Sequence, residues 1–201
     1  MNKSKLLKAT NFDKTIKIAL LSSFTINGFY ETLRVKMSKH QIGCNIYVGD
    51  YNQYNQEILK NNSELYNFKP NLTFLMIDTR TILGEIFYSP YSISAEERKK
   101  NIEKKFLELK NLINIFLNKS NSKLIITNLH VPTYSPYGLY ETKTEYGFHS
   151  MISDFNKKLE VEFMKNDSVY IFNFNQFVSK YGNDNIFNVK QFLFGDIKIS
   201  L

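Results

Sequence analysis

The residues able to do chemistry gather where apolar runs end. Residues 16–21 form an apolar run broken only by Lys17, and it stops at Ser22-Ser23-Phe24-Thr25. The run is too short for a helix that must bury itself and has the composition of a buried parallel strand. Open α/β sheets place their sites at the carboxyl edge of such strands. Ser22 and Ser23 are therefore the candidate nucleophiles, although a serine is weak without a positioned base. His130 follows the apolar run 124–127 and could face the same cleft, which makes it the candidate base. Asp78 and Arg80 follow the run 72–77, and Asn128 follows 124–127, so all three are candidates for holding a substrate. Gly49 ends the run 44–48, and beyond it Asn52, Gln53, Asn55 and Gln56 crowd into nine residues. Four amides beyond a strand end could line a polar pocket, or could cap and solvate a helix. The two serines likewise have a plain reading, as the end of a strand or the cap of the next helix.

These residues need a frame. Residues 27–39 carry Phe29, Leu33 and Met37 four apart, the spacing of an amphipathic helix. Residues 44–48 read as a second strand, 51–59 as helical, and 60–70 as a turn, a short helical piece and a proline stop. The run 72–77 is the most apolar and is expected at the centre of the sheet. An aromatic loop, 81–93, then leads to Ser94 and Glu97, which have the spacing of a capping box. Ile102, Phe106, Leu109, Ile113 and Phe116 continue it as one long helix. After the strand 124–127, a loop rich in Tyr and Pro leads to a helix over 145–165, with Met151, Phe155, Leu159 and Phe163 in its stripe. Residues 169–172 are the fifth strand and 174–181 a short helix, followed by a tail with no clear stop. Strands alternating with helices imply a mainly parallel five-stranded sheet in a three-layer α/β/α sandwich. Residues 1–15 are expected to be a polar extension, a short helix or a tail, and 16–201 a single domain.

Composition narrows the function. The net charge is +7, yet the densest basic run, Arg98-Lys99-Lys100 with Lys104-Lys105, is interleaved with Glu96, Glu97, Glu103 and Glu108. That is the look of a solvated helix face, and no nucleic-acid motif accompanies it. The one cysteine, Cys44, excludes an internal disulfide and reads as a buried, inert thiol. No apolar stretch has the length of a signal peptide core or a membrane span, so the expectation is a soluble cytoplasmic protein. No cluster of His, Cys, Asp and Glu has ligand spacing, and neither GxGxxG nor GxxxxGK[ST] occurs, so no metal and no cofactor are expected. His40 reads as solvated at a helix end, and His149 as a helix surface or core-edge residue.

Three segments together resemble a known family. They are IALLSSFTI at strand one, YVGDYNQYNQEIL with SELYNFKPNLTFLMID through strand three, and NLHVP after strand four. In this order they resemble the N-terminal domain of FkbH-like proteins, over about residues 16–195. The resemblance implies an SGNH-hydrolase-like fold preceding a phosphatase-type domain of the haloacid dehalogenase superfamily. It also implies loading of a glyceryl unit onto an acyl carrier protein in polyketide or natural-product biosynthesis. The DLDNTLW-like motif of the phosphatase-type domain is not in this sequence, so that domain is a partner only if the native chain continues. SGNH hydrolases place an oxyanion glycine where Gly49 falls, but their Asp-x-x-His pair is missing, since the end reads Gly195-Asp196-Ile197-Lys198. Two readings follow. One is a module that recognises an acyl carrier protein or its phosphopantetheine arm, with Phe24, Phe87, Tyr88, Tyr91, Tyr134 and Tyr137 along the cleft. The other is an esterase or thioesterase using Ser23 with His130.

Overall fold

The apolar run that ends in the two serines is the second strand of the sheet in space. A computed structural model describes residues 12–199 of the chain. Strands β1 (Lys14–Ser22), β2 (Ile42–Val48), β3 (Leu72–Met76), β4 (Lys123–Thr127) and β5 (Val169–Phe172) form one sheet in the order β2-β1-β3-β4-β5. Every pairing is parallel. This is the flavodoxin-like order, whose switch point lies between β1 and β3. The most apolar run, β3, takes the central place, as expected for a strand covered on both faces. The sheet takes in Lys14 and Thr15, which the sequence had assigned to the extension; residues 1–11 of that extension lie outside the described residues.

Helix α1 (Phe29–Ser38) covers one face. Its Phe29, Leu33 and Met37 pack on Ile18, Leu20 and Met76. None of its residues is fully buried, so this layer is thin. The other face carries α2 (Tyr54–Leu59), α3 (Glu64–Phe68), α6 (Ala95–Lys119) and α7 (Phe148–Phe163). Here Ala19, Leu21, Leu75, Leu124 and Ile126 meet the stripes of the long helices, and Ile102, Phe106, Ile113, Phe116, Met151, Phe155 and Leu159 are buried. Both stripes are the ones read from their spacing. The Ser94–Glu97 capping box is present in both directions and starts α6 where the sequence places it. Buried Cys44 has its thiol pushed up by burial.

Three segments depart from expectation. The aromatic stretch 81–93 is not all loop. It holds the end of α4 (Thr79–Leu83), all of α5 (Glu85–Tyr88) and a 3₁₀ turn at Pro90–Ser92. The tail after α8 (Phe174–Tyr181) folds as α9 (Asn183–Ile186) and α10 (Val189–Gly195), then crosses the carboxyl edge of the sheet. Arg98 is not part of a solvated face. It is 5% exposed and donates to the carbonyls of Ile93, Glu145 and Tyr146, which ties the loop before α7 to the start of α6. Glu141 fastens the same loop, accepting from the hydroxyls of Tyr91 and Ser135 and from the His149 N–H. Tyr91 and Tyr137 stack face to face with centroids 3.8 Å apart. Among the described residues, no helix is long and apolar enough to cross a membrane.

Candidate functional site

At the switch point, strand ends leave backbone and side chains free to meet. Ser23 follows β1, and its N–H donates to the Met76 carbonyl at 3.0 Å. Its Oγ accepts the Asp78 N–H at 2.8 Å, so one hydroxyl stitches the ends of β1 and β3 together. Ser22 does a smaller task, accepting the Phe24 N–H at 3.1 Å. Asp78 caps α4: its Oδ1 accepts from the Arg80 N–H at 2.8 Å and from Arg80 Nε at 3.0 Å. Its Oδ2 lies 2.6 Å from Lys198 Nζ. Arg80 Nη2 reaches Asp196 Oδ1 at 2.5 Å, and the Tyr51 hydroxyl donates to Asp196 Oδ2 at 2.7 Å. The result is a chain of alternating charge, Lys198–Asp78–Arg80–Asp196, buried at its Lys198–Asp78 end and open to the larger cavity at its Arg80–Asp196 end.

Burial sets the character of these groups. Asp78 is 3% exposed and Lys198 6% exposed. Burial alone would raise the Asp78 carboxyl, but the Lys198 ammonium, the Arg80 N–H and the Arg80 guanidinium outweigh it and hold it below the usual carboxylate range. Burial pushes the Lys198 ammonium down, while the ion pair with Asp78 opposes that shift. A buried pair of this kind persists only because both ends are matched. His130 is lowered to about 4, first by burial and then by the nearby Lys198 charge, so at neutral pH it is an uncharged imidazole. Its ring packs against Phe187 and Phe174, with centroids 4.7 and 5.9 Å away.

Two cavities meet at Arg80. The larger, about 670 Å³, is lined by Ser23, Tyr51, Asn52, Arg80, Tyr88 and the last turns of α10. The smaller, about 220 Å³, is lined by Asp78, His130, Phe87, Tyr134, Phe187 and Lys198 among others. Arg80 and Phe192 line both, and the guanidinium carbon sits 3.8 Å from the Phe192 ring centroid. Ser23 and His130 thus line different cavities. Of the amides after β2, Asn52 lines the larger one in a left-handed conformation (φ 55°). Gln53 stands at the N-cap position of α2 without a side-chain capping bond, and Gln56 is exposed on the helix. Gly49 is a close-packing position: a Cβ there would lie 2.8 Å from Leu21 Cδ2, and its N–H donates to the Leu20 carbonyl. Asn128 faces away from both cavities, where its Oδ1 accepts the Phe174 N–H at 2.8 Å and starts α8. Phe24 and Asn128 line a separate apolar groove of about 280 Å³ between α1 and α8.

Sequence reasoning missed Tyr51, Asp196 and Lys198, which complete the charged chain. It also missed two amides that grip the loop carrying His130. Asn156, inside α7, accepts the Leu129 N–H and donates to the Leu129 carbonyl, and Asn175 does the same for Val131 and Leu129. A polar residue on the apolar face of α7 was the signal for Asn156. Nothing local marks the other four. No group of three or more His, Cys, Asp and Glu residues that could hold a metal ion occurs among the described residues.

A family model described as FkbH, N-terminal domain, matches residues 17–201. The chain belongs to the FkbH N-terminal domain family. Among solved structures, the FkbH-type domain is similar to the N-terminal part of the protein BF1531 from Bacteroides fragilis, which contains a phosphatase domain complexed with Mg. The TM-score is 0.81 at 17% identity, over 99% of this chain and 51% of that one. At that identity the likeness speaks for the fold alone. The FkbH-type chain thus spans about half the length of that neighbour. LAE5, an alpha/beta hydrolase from the metagenome of Lake Arreo, Spain, has a TM-score of 0.46 at 10% identity, over 92% of this chain and 88% of that one. No curated protein matches.

Proposed function

We propose that this FkbH-type domain is a recognition module of natural-product biosynthesis. It takes an acyl carrier protein, or the phosphopantetheine arm with its acyl group, and presents it for glyceryl transfer at a phosphatase-type domain. The observation that carries this reading is the state of Ser23. Its Oγ is engaged by the Asp78 N–H at the wall of an open cavity, and the uncharged His130 lines another cavity. A hydroxyl without a base is a binding group rather than a nucleophile. Lys198 is no substitute base, because its ammonium is ion-paired with Asp78. Support for the partner comes from the exposed Tyr51, Tyr88, Tyr134, Leu193 and Phe194 around the two mouths. Exposed aromatic and aliphatic side chains beside a cavity suit a partner that covers them. The net charge of +7 favours an acidic partner such as a carrier protein.

The test is labelling with a fluorophosphonate probe and hydrolysis of a short acyl ester, run beside binding to an acidic acyl carrier protein. The expected result is no serine-dependent labelling or turnover, with carrier-protein binding that weakens as salt rises. Labelling that disappears in Ser23→Ala would overturn the module reading in favour of a Ser23 hydrolase. Ser23→Ala itself is expected to cost about 1–3 kcal/mol of stability, because the buried Asp78 N–H loses its acceptor, measured by urea denaturation.

A further inference from the structure

The geometry points to an oxyanion site at Arg80 and Tyr51 that Asp196 of the same chain occupies in this structure. Its ligand class is a small molecule bearing a carboxylate or a phosphate. This does not depend on the carrier-protein reading, because a domain that binds no carrier protein can still hold a small anion.

Four observations carry it. The Asp196 carboxylate receives Arg80 Nη2 on one oxygen and the Tyr51 hydroxyl on the other, which is how a protein receives a bound carboxylate. Arg80 Nη1 has no partner among the described residues, so the fork is only half used. The Phe192 ring lies against the guanidinium, its centroid 3.8 Å from the central carbon, and restrains Arg80 before any ligand arrives. The pair is not sealed: the Arg80 and Asp196 side chains are 24% and 22% exposed at the wall of the 670 Å³ cavity.

The carboxylate is also separable from the strap that carries it. Bonds that do not use the Asp196 side chain also hold the strap: the Thr25 N–H donates to the Asp196 carbonyl, the Thr25 hydroxyl to the Gly195 carbonyl, and the Asp196 N–H to the Phe192 carbonyl, with the Lys198–Asp78 ion pair just beyond. Asp196 sits in the left-handed region (φ 48°), which asparagine tolerates as well as aspartate. Asp196→Asn therefore keeps the strap and removes the resident charge. The cluster then changes from neutral, two cations against two anions, to a single net positive charge beside an open cavity.

The probes are inorganic phosphate and propionate, titrated by NMR into the wild type, Asp196→Asn, and Asp196→Asn with Arg80→Gln. Asp196→Asn is expected to bind the better probe about 5- to 10-fold more tightly than the wild type, and the added Arg80→Gln to abolish the gain. Tyr51→Phe in the Asp196→Asn background is expected to weaken it several-fold. Phosphate favoured over propionate assigns the site to phosphate esters, and the reverse assigns it to carboxylates. Equal affinities in the wild type and a folded Asp196→Asn, or a gain that survives Arg80→Gln, overturn the proposal. Should Asp196→Asn not fold, the wild type decides: 100 mM of either probe must shift the Arg80 side-chain resonance, and no shift with either overturns it.

Discussion

Lys198→Met lowers the unfolding free energy by about 3–5 kcal/mol, the cost of removing one partner from a buried ion pair. Lys198 Nζ lies 2.6 Å from Asp78 Oδ2, with both residues nearly inaccessible, and stands 5.3–5.5 Å from the rings of Phe24 and Phe174. Methionine keeps the length of the apolar stem, so packing changes little and the charge is what is lost. Asp78 is then left with Arg80 alone in a site that water reaches poorly. The double variant Asp78→Asn with Lys198→Met removes both buried charges and is expected to recover most of the loss. Urea denaturation of the three variants is the measurement. A Lys198→Met loss under about 1 kcal/mol would mean that the ion pair does not hold the tail to the sheet.

Acid destabilises the domain through His130 before its carboxylates titrate. Folding lowers this imidazole from 6.5 to about 4, chiefly by burial and then by the Lys198 charge, with Asp78 pulling the other way. The unfolded chain therefore takes up the proton first. Stability from this group is complete above about pH 6.5 and is lost as pH falls through the folded value near 4. Between pH 7 and pH 5 the loss is about 2 kcal/mol. Asp78, Glu97 and Glu141 are also depressed, but as carboxylates they act at more acid pH. His130→Phe, whose ring suits the aromatic contacts with Phe174 and Phe187, is expected to flatten the profile from pH 7 to 5. Urea midpoints at the two pH values are the check. A wild type as stable at pH 5 as at pH 7 contradicts the shift.

His130 and Lys198 differ in how far the sequence announces them. His130 was visible as the residue after a buried strand, and its placement at the carboxyl edge follows from that. Its neutrality was not visible, because it depends on Phe174, Phe187 and Lys198 closing around it. Lys198 was invisible in both respects. A lysine between Ile197 and Ile199 near the end of the sequence carries no sign of a counter-charge, and only its partner explains its burial.

The α/β alternation, the five strands, the central place of β3, the two long helices with their stripes, and the cap at Ser94 are all legible in the amino-acid order. These are local matters, written in apolar runs and in spacings of three and four. Also legible is the sharing of one edge by Ser22, Ser23, Asp78 and His130, since parallel strands all end on the same side. Which of them meet depends on how the chain closes in three dimensions. That closure joined Arg80 to Asp196 across 116 positions, split Ser23 from His130 into separate cavities, and turned Arg98 inward. A charge enters the interior only where chain closure delivers its counter-charge or a set of carbonyls, and no local pattern records that delivery.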